Sequence, residues 1–131
     1  MSKKPMSKTI IHTDQAPQAI GTYSQAVNHN GLVFVSGQIP LEPGSMEMVS
    51  GGVEAQITQV FDNLSAICDA AGGSLNDILK LTVFLTDMGN FPQVNAIMEQ
   101  YFEAPFPARA AVGVAALPKG AEVEMDAVLA V

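Results

Sequence analysis

VEAQITQVFDNLSAICDAAGGSLNDILKLTVFLT, residues 53–86, carries a helical and a strand period side by side. Val53, Ile57, Val60, Phe61, Leu64, Ile67, Cys68 and Ala71 follow the three-four spacing of one helical face. Gly72-Gly73 ends that pattern, because glycine accepts the left-handed conformation that closes a helix. Ser74-Leu-Asn-Asp77 has the form of a capping box around one short turn. From Ile78 to Thr86 the period becomes two. Leu79, Leu81, Val83 and Leu85 are assigned to one face of a strand; Ile78, Lys80, Thr82, Phe84 and Thr86 are assigned to the other.

Toward the C-terminus a second helix is expected from about Asn90, with Phe91, Val94, Met98, Tyr101 and Phe102 as its apolar stripe. Pro105 and Pro107 stop it. Ala108–Ala116 reads as a strand and Leu117-Pro-Lys-Gly120 as a turn. The last stretch alternates: Val123, Met125, Ala127, Leu129 and Val131 take one face, while Glu122, Glu124 and Asp126 lead the other. Toward the N-terminus, Thr9–Thr13 reads as a short strand and residues 14–22 as a loop. Tyr23–Asn28 and Leu32–Ser36 form a hairpin across Asn30-Gly31, a pair that tolerates positive φ at both positions. Residues 37–52 read as a loop, and the polar residues 1–8 as a flexible end.

The order β-ββ-α-β-α-ββ predicts an α+β two-layer sandwich: a single mixed β-sheet covered on one face by two helices. One domain over residues 9–131 suits a chain of 131 residues. The uncovered face is expected to carry Arg109, Lys80 and Glu124, a mixture that suits a subunit interface lined by a small polar site.

Composition narrows the function. Hydrophobic residues make up 48% of the chain and charged ones 15%, against roughly 25% charged in ordinary soluble domains. Apolar surface left over after core formation predicts an oligomer. The net charge is −7, and from residue 9 onward the only cations are Lys80, Arg109 and Lys119, which disfavours nucleic acid as a partner. One cysteine, Cys68, excludes a disulfide framework and a multi-cysteine metal site, and its place on the helical face marks it as core. No apolar run approaches the ~18 residues of a membrane-spanning helix, and the lysine-bearing start has no apolar segment after it. The expected location is cytoplasmic. Neither histidine has partner spacing, and phosphate-loop, metal-cluster and nucleophile-elbow motifs are missing.

Arg109, the only arginine, therefore stands out. Nothing else charged lies between Glu103 and Lys119. Its guanidinium never loses its charge, so it needs an anion or a route to water, and its fork suits a carboxylate or phosphate. Ala111, Gly113 and Ala115 share its strand face and leave room for a ligand or for close packing. Glu124 is either a structural partner for this cation or an acid that orients water.

The chain resembles the reactive intermediate deaminase family, its RidA branch in particular. The resemblance rests on Ala16-Pro17, Ile20-Gly-Thr-Tyr-Ser-Gln-Ala26, Ser36-Gly-Gln-Ile-Pro40, Asp62-Asn-Leu64, Ala70-Ala-Gly72, Phe91 with Val94-Asn95, Phe106-Pro-Ala-Arg109, Leu117-Pro-Lys-Gly120 and Glu122-Val-Glu124. It implies a chorismate-mutase-like fold and a homotrimer with active sites between subunits. It also implies hydrolysis of 2-aminoacrylate/2-iminopropanoate and 2-iminobutanoate to 2-oxo acids and ammonia, with no cofactor or metal. By the same resemblance Arg109 holds the substrate carboxylate, Glu124 positions water, and Tyr23, Ser36, Gly37, Phe91 and Asn95 line the pocket. Thr22 departs from the proline common at that position, and Ala111 and Gly113 from the larger residues some members carry. The competing expectation is a non-catalytic module that binds small carboxylates such as 2-oxo acids at the same arginine.

Overall fold

The computed structural model describes residues 7–131; the first six, most of the end expected to be flexible, lie outside the described residues. Six strands form one sheet: β1 (Thr9–Ile11), β2 (Ala26–His29), β3 (Leu32–Gln38), β4 (Ile78–Leu85), β5 (Ala108–Gly113) and β6 (Val123–Ala130). The spatial order is β1-β2-β3-β6-β4-β5. Every pairing is antiparallel except β4 with β5, which is parallel. Helix α1 (Val53–Ala70) joins β3 to β4, and α2 (Phe91–Tyr101) joins β4 to β5. The α+β sandwich with a mixed sheet and two covering helices is the expected fold.

The helical face read from the sequence is the core. Ile57, Val60, Phe61, Leu64, Ile67 and Cys68 are fully buried. They pack on Val33, Leu81, Val83, Leu85, Val123, Met125 and Leu129 from the sheet. Phe61 also stacks against Tyr101 and Phe102 at the end of α2, with ring centroids 5.3 and 5.6 Å away. Burial at Cys68 pushes its thiol pKa up to about 12, so it behaves as a small apolar residue. The C-terminus of α1 closes as the sequence predicts. Gly72, at φ +94°, donates to Asp69 O and Gly73 donates to Cys68 O, the paired bonds of a Schellman closure. The capping box at Ser74 and Asp77 follows. The hairpin turns on Asn30 (φ 55°) and Gly31 (φ 88°).

Two β-bulges depart from the simple alternation. In β4, Ile78 pairs with Leu129 and Lys80 with Val128, so Leu79 is an extra residue. The face assignment made from strict alternation is therefore wrong at its start. Ile78 is buried and Leu79 is 51% exposed; Leu81, Val83 and Leu85 resume the inner face. In β3, Val35 pairs with Ala127 and Gln38 with Met125, leaving Ser36 and Gly37 opposite Asp126 alone. The buried parity shifts from Val33 and Val35 to Gln38. Strand β1 is also shorter than expected, and Tyr23–Gln25 lie before β2 rather than in it.

Buried amides pin the long connections. Asn63 of α1 is fully buried and its Nδ2 donates to Leu41 O at 3.1 Å and Ile39 O at 3.4 Å. Gln56 accepts from Glu122 N–H at 2.9 Å and donates to the Glu122 carboxylate at 3.2 Å. Among the described residues no helix is long and apolar enough to cross a membrane. Asn63→Ala strips the buried Leu41 carbonyl and the part-buried Ile39 carbonyl of a donor. It is expected to lower the free energy of unfolding by about 1–3 kcal/mol, measured by denaturant titration.

Candidate active site

The structure divides the expected site residues into two groups. The first lines a cavity of about 560 Å³ and includes Tyr23, Ser36, Gly37 and Glu124. The second surrounds Arg109, in a smaller cavity of about 410 Å³ with Asn95 and Phe106.

The β3 bulge builds the first group. Two successive residues of β3 face one residue of β6, so Ser36 and Gly37 both reach the cavity. Glu124 sits on the uncovered sheet face, between the buried Val123 and Met125. Its carboxylate lies over Gly37 so closely that a Cβ there would collide with Glu124 Oε2. Gly37 is thus a matter of space. Burial, then the negative charge of Asp126 on the same strand face, raises the Glu124 pKa above the ordinary carboxylate value. The Ser36 hydroxyl donates to Ser24 O at 2.5 Å. Its proton is committed, so it offers the cavity only acceptor lone pairs. Tyr23 is exposed, with its hydroxyl accepting from Ile20 N–H at 3.4 Å. Lys119, held at φ 58°, also lines this cavity.

Arg109 does not share a face with Glu124 and Lys80, contrary to the expectation from strand parity. In the parallel pairing its Cα partner is Leu81, which points inward under the helices. Lys80 pairs with Val128 and Phe84 with Glu124 on the uncovered side. Arg109 therefore turns toward α2. Nη1 donates to Asn95 Oδ1 at 2.7 Å and contacts Met98 Sδ at 3.5 Å. The guanidinium stacks on Phe91, 4.7 Å from the ring centroid. Strand β5 is the sheet edge, so the route to water that an arginine needs is open. Among the described residues no carboxylate pairs with it. Its Nε and Nη2 make no hydrogen bond there, leaving one side of the fork for a planar anion. The glycine at 113 also has a reason: an added Cβ would approach Met88 Cγ to 3.1 Å.

Within one chain, then, the two groups lie on opposite sides of the sheet, with β4 between their strands. Adjacent strands are about 4.8 Å apart. A molecule of a few heavy atoms does not reach both. Sequence reasoning missed Gln25, whose buried side chain lines the first cavity. A glutamine beside an apolar strand start gives no periodic signal.

Most of the chain also matches known proteins. The model of the endoribonuclease L-PSP family matches residues 13–131. Protein DfrA of Myxococcus xanthus is 50% identical over 125 residues, covering 94% of this chain and 95% of that protein. The 2-iminobutanoate/2-iminopropanoate deaminase of Homo sapiens is 47% identical over 121 residues, 92% of this chain and 88% of that one. The crystal structure of RidA from the Antarctic bacterium Psychrobacter sp. PAMC 21119 superposes with a TM-score of 0.90 at 50% identity, covering 94% and 99% of the two chains. The chain belongs to the endoribonuclease L-PSP family, as the motif resemblance to RidA anticipated.

Two outcomes follow from the Glu124 notch. Gly37→Ala displaces only the end of a flexible side chain. Stability should stay within about 1 kcal/mol in thermal melts, while any activity that depends on Glu124 falls about tenfold or more. Glu124→Gln should raise the melting temperature at neutral pH. The native pKa is raised, so the ionised form opposes folding above it and the protonated form does not. The gain should shrink as pH falls through the native pKa and vanish below the unfolded one.

Proposed function

We propose that this protein is a deaminase of small 2-imino acids, hydrolysing 2-aminoacrylate/2-iminopropanoate and 2-iminobutanoate to 2-oxo acids and ammonia. The relatives that bear this activity in their name match over most of the chain. The observation that carries the reading is Glu124. Burial raises its pKa, and it is the one carboxyl among the residues lining the cavity with Tyr23, Ser36 and Gly37.

The chemistry needs little more. A protonated imine, R–C(=NH2+)–COO−, is already electrophilic at carbon. The open side of the Arg109 fork takes the carboxylate, with Phe91 and Asn95 fixing the guanidinium plane. Ser36 accepts an N–H of the iminium, since its own proton is committed. Glu124 takes a proton from water as its oxygen bonds to C2, giving the tetrahedral carbinolamine. The same carboxyl then returns that proton to nitrogen. As the C–N bond breaks, the hydroxyl oxygen gives its proton back to the Glu124 carboxylate and becomes the ketone; ammonia leaves and takes that proton from Glu124, departing as ammonium and restoring the carboxylate. A carboxyl of raised pKa suits both directions of transfer.

The separation of the two groups argues for assembly. Arg109 of one subunit meets Glu124 of the next in a homotrimer, so each site spans an interface. The exposed Phe106 beside Arg109, and Ile20 and Tyr23 beside the other cavity, are apolar rims suited to such closure. The intersubunit reading also explains why a small substrate has no complete site in one chain.

In the decisive assay 2-aminoacrylate is generated in place and keto-acid formation is followed. Wild type should accelerate it and Arg109→Ala should abolish the acceleration; full activity in that variant would remove the assigned role. Ligand binding by wild type with no acceleration would favour the small-carboxylate module instead. Subunit mixing tests the interface. Arg109→Ala and Glu124→Gln are each expected to be inactive alone. Co-expressed in equal amounts, they should recover about a quarter of wild-type activity, because one site in four pairs two intact halves in a random cyclic trimer. No recovery in mixed trimers verified by mass would exclude a shared site.

A further inference from the structure

Gln25 is 2% exposed and sits between Tyr23 and the start of β2. Its amide is fully occupied. Oε1 accepts from Thr13 N–H at 2.7 Å. Nε2 donates to Thr13 O at 3.0 Å and to Pro17 O at 2.8 Å, with Ala16 O at 3.4 Å. Its backbone carbonyl accepts from Ser36 N–H at 2.9 Å, and the carbonyl before it receives the Ser36 hydroxyl. One residue thus ties the 13–17 loop by its side chain and the β3 bulge by its main chain. That loop, with the residues up to Tyr23, has no strand or helix of its own. It supplies Pro17, Gln18, Ile20 and Tyr23 to the wall of the larger cavity.

We propose that Gln25 is a positioning residue, which holds the Pro17–Tyr23 wall at a set distance from Ser36 and so sets the width of the substrate cleft. The inference rests on reading this cavity as the substrate site. Its physical basis is the donor count. Three carbonyls and one N–H converge on the side chain, and a neutral carboxamide supplies the donors and the acceptor together. An ionised carboxylate at the same place brings two acceptors against three carbonyls. Protonation restores one donor and one acceptor. Gln25→Glu is therefore a pH-reversible break in the tether, and burial among carbonyl oxygens raises the pKa of the introduced carboxyl.

His12 and Asp14 beside Thr13, Tyr23, and Glu124 and Lys119 around the cavity are the titratable and charged groups nearby. All are present in wild type, so the ratio of variant to wild type at each pH removes their titration. At neutral pH Gln25→Glu should raise KM about tenfold, the effect of one or two unsatisfied buried groups, with kcat changed far less. The KM ratio should return toward one as the pH is lowered. Gln25→Met, of similar volume but unable to titrate, should keep a raised KM at every pH; it preserves the test if the glutamate variant folds poorly. Hydrogen exchange of residues 13–24 gives a readout independent of turnover. Protection relative to wild type should be lost in Gln25→Glu at neutral pH and regained in acid.

Unchanged KM in both variants would overturn the proposal. So would equal losses in KM and kcat that track melting temperature with no acid recovery, which is the behaviour of a purely structural residue. If wild type shows no acceleration at all, the reading of the cavity as a substrate site fails. The exchange experiment then still decides whether Gln25 holds the wall.

Discussion

The parallel pairing of β5 with β4, in the register that sets Arg109 opposite Leu81, governs the whole arrangement of polar groups. Leu81 points into the core, so its partner must also turn to the helical side. An arginine there survives only because β5 is the sheet edge and because α2 offers an aromatic face and an amide oxygen. Glu124, on antiparallel β6, has the other parity. The sheet thus separates the arginine from the acid whose proton affinity burial raises. Had β5 shifted by one residue, the two would share a face of the sheet, with β4 still between them.

Around these two groups the fold uses neutral amides to hold irregular backbone. Asn63 holds Ile39 and Leu41, Gln56 holds Glu122, and Gln25 holds the 13–17 loop. Each is buried or nearly so and each has partners for its polar atoms. Such networks work in a low-dielectric setting, where a satisfied group is rigid and an unsatisfied one is costly. The cavity walls are loops, and these amides tie them to the helix and the strand start. The one acid placed between them is left partly desolvated, which raises its proton affinity.

The regular elements were legible because periodicity records burial directly. Both helical stripes, the Asn30-Gly31 turn, the Gly72-Gly73 closure and the inner face of β6 from Val123 to Leu129 are where the spacing puts them; Val131, assigned to that face, lies past the strand and is exposed. The bulges were not legible. Leu79 looks like any other leucine in an alternating run, and only its neighbour's register reveals it as the extra residue. Ser36-Gly37 reads as the end of a strand, although the chain continues to Gln38 through the bulge that directs both residues at the cavity. The motif resemblance named Tyr23, Ser36, Gly37, Phe91, Asn95, Arg109 and Glu124, but resemblance carries no geometry. It said nothing of the two sides of the sheet.

By itself the sequence determined the layers, the core, the family and the isolation of one arginine in an acidic chain, because these depend on local period, composition and motif. The tertiary structure alone decided which face Arg109 takes, how the bulge makes room for Glu124 over Gly37, and that Gln25 joins the loop to the strand. Those features depend on strand register and on contacts between residues distant in sequence. A one-residue slip in register changes the face of every side chain while leaving the pattern along the chain the same.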